Sequence, residues 1–227
     1  MSEKRYAVAL DGPSGAGKST LARALAAKLG ILYVDTGAIY RTIGLAVCER
    51  GIDAHDASAV VALLPELSIA LGHGSDGEQR MYLGERDVSA EIRLPEISMY
   101  ASAVSALPEV RAYLLEMQRD MARRQSVIMD GRDIGTVVLP QAEVKIFLTA
   151  SSEVRARRRC LELEQRGTPK PYAEVLRELE ERDYNDSHRA AAPLRAAEDA
   201  VTVDTSELDF AQSAELLERI VRERAGL

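Results

Sequence analysis

Apolar and polar positions change period several times along the chain. Tyr6–Leu10 is a short apolar run that predicts a strand. After a glycine-rich stretch, Leu21, Leu25 and Leu29 recur at i, i+4 and i+8, which predicts a helix, and Gly30 is placed to end it. Ile31–Val34 predicts a second strand, followed by a helix to about Glu49. Further short apolar runs stand at Val127–Met129, Val144–Leu148 and Val201–Val203, with helical patterns around them. Strands alternating with helices are the signature of a parallel sheet covered by helices.

The segment from about Leu64 to Arg93 breaks that rhythm. Leu67–Leu71, a Gly/Asp-rich turn at Gly72–Gly77 and then Gln79–Val88 with Gly84 inside it predict small antiparallel strands. The α/β pattern resumes afterwards, so the segment reads as an insert, about 64–105, within a single domain over 1–227. Pro108–Gln125 predicts a helix with Val110, Leu114, Met117 and Met121 on one face. Ser151–Gln165 predicts another, capped by Ser151 or Ser152 and carrying Glu153 in its first turn. Gly167-Thr-Pro169-Lys-Pro171 ends it, and the next helix starts near Pro171 and stops by Pro193.

Composition narrows the function classes. The 46% hydrophobic and 29% charged residues of the 227-residue chain fit an ordinary soluble protein, and its net charge of −7 argues against broad non-specific nucleic-acid binding. No apolar run approaches a membrane span, and Met1–Arg5 lacks a signal-peptide core. Cys48 and Cys160 have no partner at metal-ligand spacing and read as reduced thiols. His55, His73 and His188 form no ligand or triad grouping. The expectation is a cytoplasmic monomer. Of the 29 basic residues 24 are arginine, whose planar fork grips phosphate with two parallel hydrogen bonds.

The chemistry starts between the first strand and the first helix. Gly12-Pro13-Ser14-Gly15-Ala16-Gly17-Lys18-Ser19-Thr20 fits the phosphate-loop pattern G-x-x-x-x-G-K-[ST] in its strand–loop–helix setting. Glycines at 12, 15 and 17 let backbone N–H groups turn inward toward phosphate oxygens, and the helix start adds its dipole. Lys18, expected at the loop rim, supplies a charge for the β- and γ-phosphates, and Ser19 a hydroxyl for Mg2+. These nine residues are the expected loop for a nucleoside triphosphate.

Three arginine groupings follow. Arg155, Arg158 and Arg159 share one helix face by their i, i+3, i+4 spacing, whereas Arg157 points elsewhere. They read either as a solvated face paired with Glu162 and Glu164 or, beside a triphosphate site, as a mobile clamp over a transferring phosphoryl group. Arg182, Asp186 and Arg189 recur at i, i+4 and i+7, a charge ladder or a second anion site. Asp130-Gly131-Arg132-Asp133 ends an apolar strand, where magnesium or its water shell is held in phosphate-loop proteins and where open parallel sheets bind ligands. Asp133 reads as a ligand contact or as a helix N-cap.

Together, GPSGAGKST, DTGAIYR at Asp35–Arg41, DVSAEIR at Asp87–Arg93, DGRDIGTVVLP at Asp130–Pro140, KIFLTAS at Lys145–Ser151 and ERDYNDSHRAAAPL at Glu181–Leu194 resemble the bacterial cytidylate kinases over nearly the whole length. The resemblance implies an α/β fold: a P-loop parallel sheet with covering helices, a small antiparallel nucleotide-binding insert and a short helical lid at about 152–172. It implies transfer of the ATP γ-phosphoryl group to CMP or dCMP, giving the diphosphate and ADP. The acceptor site would be lined by Thr36, Arg41, Ser102, Arg111, Arg132, Asp133, Arg182, Asp186 and Arg189. Ser102, Arg111 and Asp133 would lie near the base, Arg182 and Asp186 near the ribose, and Arg41, Arg132 and Arg189 near the phosphate. Some members carry glycine where Ser19 stands, so its metal role comes from the motif and not from the family. The rival readings are a P-loop kinase of another small acceptor and a nucleotide-dependent switch ATPase.

Overall fold

The computed structural model describes residues 5–74 and 77–227. The first four residues, and the two at the middle of the expected Gly72–Gly77 turn, lie outside this description. The chain divides into two compact units, one of residues up to Tyr33 together with Ala122–Leu227, the other of Val34–Met121.

The first unit opens with β1 (Ala7–Asp11), the glycine loop and α1 (Lys18–Leu29). Gly30 ends α1 in the left-handed conformation, φ 65°, with its N–H on Ala26 O, the termination its position predicts. After β2 (Leu32–Asp35) the chain passes into the second unit and returns at the end of α5 (Pro108–Arg124). The first unit continues through β6 (Val127–Gly131), β7 (Val144–Thr149), α6 (Ser152–Gln165), α7 (Tyr172–His188), β8 (Val201–Asp204) and α8 (Phe210–Ala225).

The sheet order is β2-β6-β1-β7-β8, and β1 pairs in parallel with both β6 and β7. Register places Asp11 opposite Gly131 and Phe147. The loops leaving β1, β6 and β7 therefore emerge side by side at the carboxyl end of the sheet, where open α/β sheets bind ligands. Beneath them Val8, Leu10, Ile128, Ile146 and Leu148 pack with Leu21 and Leu25 of α1 and Leu217 and Val221 of α8. Each such side chain, fully buried, contributes about 1.5–3 kcal/mol, which makes the sheet a rigid base for those loops. Helices α6 and α7 share a smaller core of Ala156, Leu163, Val175 and Leu179.

The second unit contains α2 (Thr36–Glu49), α3 (Ala57–Leu63), the antiparallel sheet β3 (Ile69–His73), β4 (Gln79–Leu83) and β5 (Arg86–Asp87), α4 (Pro95–Ser105) and most of α5. The expected antiparallel strands are thus present, with Gly84 in the turn between β4 and β5 at φ 63°. Helices α2 and α4 cross closely at Gly44, where a Cβ would come within 2.9 Å of Ala101 N. On α5 the buried stripe runs Val110, Leu114, Gln118, and Met117 and Met121 flank it half-buried.

Candidate active site

The glycine loop leaves β1 against backbone. At Gly12, φ 148°, a Cβ would lie 1.9 Å from Leu148 O of β7, so no side chain fits. Gly15 and Gly17 take φ 75° and 87°, left-handed conformations that glycine adopts without strain. Lys18 begins α1, and its Nζ donates to Pro13 O at 2.7 Å across the loop. Contrary to the expected rim position, Lys18 is buried, 6% exposed. The loop wraps the side chain because Nζ bonds a carbonyl of the loop itself. Burial holds the amine well below its usual pKa; Arg132 and Arg182 add repulsion that Asp130 and Asp11 oppose. An anion with several negative oxygens reverses this balance and favours the ammonium.

Ser19 Oγ donates to Asp130 Oδ2 at 2.6 Å, and Tyr33 Oη donates to Asp130 Oδ1 at 3.1 Å. A hydroxyl and a buried carboxylate in contact are hard oxygen donors, and among the described residues no cluster of three or more metal-ligating side chains exists. That donor set fits magnesium, which keeps waters and substrate phosphates as most of its ligands.

Beyond β6 the chain makes a wide turn, with Val138 N on Asp133 O at 3.2 Å and Leu139 N on Ile134 O at 2.7 Å, both i to i+5. Asp11 anchors it: Oδ1 accepts from Ile134 N and Oδ2 from Gly135 N, each at 2.7 Å. Burial raises the Asp11 carboxyl to about 6, the two N–H groups pull it down, and Asp133 adds repulsion. Asp133 is buried and makes no side-chain hydrogen bond to cap the turn; Arg189 Nη2 approaches its Oδ1 to 3.6 Å.

Arg132 Nε donates to Asp186 Oδ2 at 2.9 Å, and Arg189 Nη1 stands 3.9 Å from Asp186 Oδ1. Burial works to raise the Asp186 carboxyl, but Arg132, Arg182 and Arg189 together hold it below the usual carboxylate range. Arg189 does not continue the helical face of Arg182 and Asp186. α7 ends at His188, and Arg189 is extended, with Nε on Ala192 O at 2.7 Å. Ala192 takes φ 49°, and Leu194 N returns to Asp186 O at 2.8 Å, so a folded-back loop brings Arg189 to the same carboxylate. Arg132, Asp133, Asp186 and Arg189 form one alternating cluster, with the charge of Arg182 felt at Asp186.

The arginines of α6 have separate partners. Arg155 is buried, donating from Nε to Ala150 O at 2.9 Å and from Nη1 to Ser14 O at 3.0 Å, and it pairs with Asp183 at 2.6 Å. It braces the glycine loop: a Cβ on Gly15 would lie 3.3 Å from Arg155 Cβ. Arg158 donates to Thr205 O at 2.7 Å and Thr205 Oγ1 at 3.2 Å. Arg159 pairs with Glu162 at 2.7 Å, and Arg157 is exposed. A shared helical face set their direction, while the different elements packed beside each turn set their partners.

In the second unit, Thr36 is buried in the first turn of α2, and Arg41 follows on the same helix. Arg41 Nη2 meets Asp35 Oδ2 at 2.7 Å. Arg111, on α5, donates to Ser105 O at 3.0 Å and lies 5.5 Å from the Tyr40 ring centre; half-buried Ser102 lies on α4. Sequence reasoning passed over Asp11, Asp35, Gln79, Asp183 and Thr205. Asp35 opens the quoted DTGAIYR segment and Asp183 lies inside ERDYNDSHRAAAPL; Gln79 and Thr205 stand in no quoted motif.

The family model described as cytidylate kinase matches residues 8–223. The chain belongs to the cytidylate kinase family. Curated cytidylate kinases share 50% identity over 216 residues in Carboxydothermus hydrogenoformans (95% of this chain, 97% of that one). They share 49% over 220 in the Br4923 strain of Mycobacterium leprae (96% of each) and 48% over 218 in Caldicellulosiruptor bescii (96% and 95%). Among solved structures, an uncharacterized protein from Eubacterium ventriosum superposes with a TM-score of 0.54 at 11% identity, covering 97% of this chain and all of that one. That likeness concerns the fold alone.

Proposed function

We propose that this chain transfers the γ-phosphoryl group of ATP to CMP or dCMP, releasing ADP and the nucleoside diphosphate. Full-length similarity to cytidylate kinases supports the activity. The observation that carries it to the site is the cluster of Arg132, Asp133, Asp186 and Arg189, beside the phosphate loop at the carboxyl end of one sheet.

In this reading Gly12–Thr20 hold the triphosphate of ATP through backbone N–H groups and the Lys18 ammonium. Ser19, with Asp130 behind it, would hold Mg2+, which supplies charge neutralisation at the β- and γ-phosphate oxygens. Thr36, Arg41, Ser102, Arg111, Arg132, Asp133, Arg182, Asp186 and Arg189 bind the acceptor nucleotide. Its phosphate oxygen is already ionised, so no side chain has to remove a proton. Catalysis then rests on alignment and on fixed cations, Lys18 with Arg155, Arg158 and Arg159 of α6. Closure of the lid, about 152–172, would exclude water that could otherwise hydrolyse ATP.

Among the described residues no helix is long and apolar enough to cross a membrane. The working picture is a cytoplasmic monomer acting on small nucleotides. A coupled assay for ADP with a panel of acceptors tests the function: CMP and dCMP should support turnover well above UMP, AMP and non-nucleotide alcohols. ATP turnover indifferent to CMP overturns it.

A further inference from the structure

Asp35 does three things at the start of α2. Its Oδ1 accepts from Ala38 N at 3.0 Å as the helix N-cap, its Oδ2 takes Arg41 Nη2 at 2.7 Å, and its backbone is the last of β2. Burial would raise this carboxyl, yet Arg41, the Ala38 N–H and Arg93 hold it below the usual value, so it stays an anion for Arg41. Space around the pair is tight: a Cβ on Gly37 would stand 3.0 Å from Asp35 Oδ1 and 3.2 Å from Arg41 Nη1. A small shift of Asp35 therefore moves the guanidinium.

The backbone of Asp35 is held by a side chain 44 residues away. Gln79, the first residue of β4 and 8% exposed, accepts from Asp35 N through Oε1 at 2.8 Å and donates from Nε2 to Asp35 O at 3.2 Å. Nε2 also lies 3.3 Å from Met81 Sδ. A carboxamide has one acceptor and one donor face, as a peptide group does, so Gln79 replaces a strand partner for this one residue. The reversed amide would set donor against donor and acceptor against acceptor, which fixes its orientation. We propose that Gln79 is a positioning residue for the acceptor site: it clamps the Asp35 backbone and, through the Asp35 carboxylate, sets the direction of Arg41. The insert strand β4 then has a stated task, to hold the arginine that meets the acceptor phosphate. This rests on the reading of Arg41 as a ligand of the CMP phosphate.

Gln79→Met keeps the length and removes both hydrogen bonds, leaving a buried N–H and C=O unpaired. The CMP KM should rise about tenfold, the ATP KM should stay within twofold, and the melting temperature confirms that the variant folds. The deciding measurement is a double-mutant cycle with Arg41→Ala. If Gln79 acts through Arg41, Gln79→Met made in the Arg41→Ala enzyme should change the CMP KM less than twofold. Independent, multiplying effects overturn the proposal and leave the role of Arg41 intact. An unchanged CMP KM in Arg41→Ala alone overturns the acceptor-site reading and the proposal with it. Should Gln79→Met fail to fold, Gln79→Glu, which keeps the size and the acceptor for Asp35 N, carries the same cycle.

Discussion

Arg132, delivered by the turn after β6, donates through Nε to Asp186 of α7 at 2.9 Å, and the carboxylate it meets is also approached by Arg189. One anion thus holds cations from two elements together before any nucleotide arrives. Asp186→Ala leaves those guanidinium groups close and uncompensated, and should cost about 3 kcal/mol of stability. CMP kcat/KM should fall, and sulfate should restore the melting temperature of the variant more than that of wild type. Thermal melts with and without sulfate check this; a variant as stable as wild type would show that the pair carries no load.

Lys18→Ala should lower kcat about 100-fold or more, the loss expected on removing a preorganised charge partner. Because the fold disfavours the charged amine, the folded pKa lies below the unfolded one, and the residue costs stability as the pH falls through its folded value. Lys18→Met should therefore melt no lower than wild type at pH 7 while losing turnover. Paired melting and steady-state kinetics decide; retained turnover would remove the lysine from the chemistry.

The arginines of α6 should separate by partner. Arg157→Ala, at an exposed position, should change kcat less than twofold. Arg158→Ala should depress kcat by tenfold or more with a smaller effect on the CMP KM, the pattern of a contact made in the transition state. Arg155→Ala strands Asp183 beside the glycine loop and should cost about 3 kcal/mol in addition. Equal kinetic effects at 157 and 158 would remove the argument from helical facing.

Asp133→Asn tests base reading. Cytosine offers an amino donor at N4 and an acceptor at N3, and uracil reverses both. A carboxylate at N4 accepts from cytosine but faces the lone pairs of uracil O4, while Arg111 can donate to cytosine N3 or O2. Two mismatches at about 1–3 kcal/mol each give roughly 10²–10⁴-fold discrimination. The asparagine can turn its NH2 toward O4, so the CMP:UMP ratio of kcat/KM should shrink, mainly through loss on CMP, with the ATP KM nearly unchanged. An unaltered ratio assigns the base to other residues.

Asp11 links stability to pH. Its carboxyl is raised from 3.8 to about 6, so the stability it contributes is present in full below pH 3.8 and is lost as the pH rises through 6. The loss is on the order of 3 kcal/mol. Unfolding free energies of wild type and Asp11→Asn, measured from pH 4 to pH 7.5, should diverge by that order, with wild type losing ground at the higher pH. Parallel curves would mean that the two N–H groups of Ile134 and Gly135 offset the burial.

What lies within a few residues was legible in the sequence. β1, the glycine loop and α1 with its Gly30 stop follow from spacing and from the φ freedom of glycine, and the start of α6 follows from the Ser151 cap. The arginine groups and the Asp130–Asp133 turn were visible as charges at helical or strand-end spacing. Contacts across the chain were not: Asp11 to Gly135 spans 124 residues, Ser19 to Asp130 spans 111, and Arg158 to Thr205 spans 47. They exist because the order β2-β6-β1-β7-β8 sets the ends of β6 and β7 on either side of β1, and periodicity says nothing about which strands become neighbours. The same limit explains Lys18 and Arg189. The phosphate-loop motif predicts a rim position for the first, and spacing predicts a helical face for the second. Instead the loop encloses Lys18, and a loop with a residue at φ 49° folds Arg189 back onto Asp186. Local chemistry chose the groups, and packing among distant segments chose their partners.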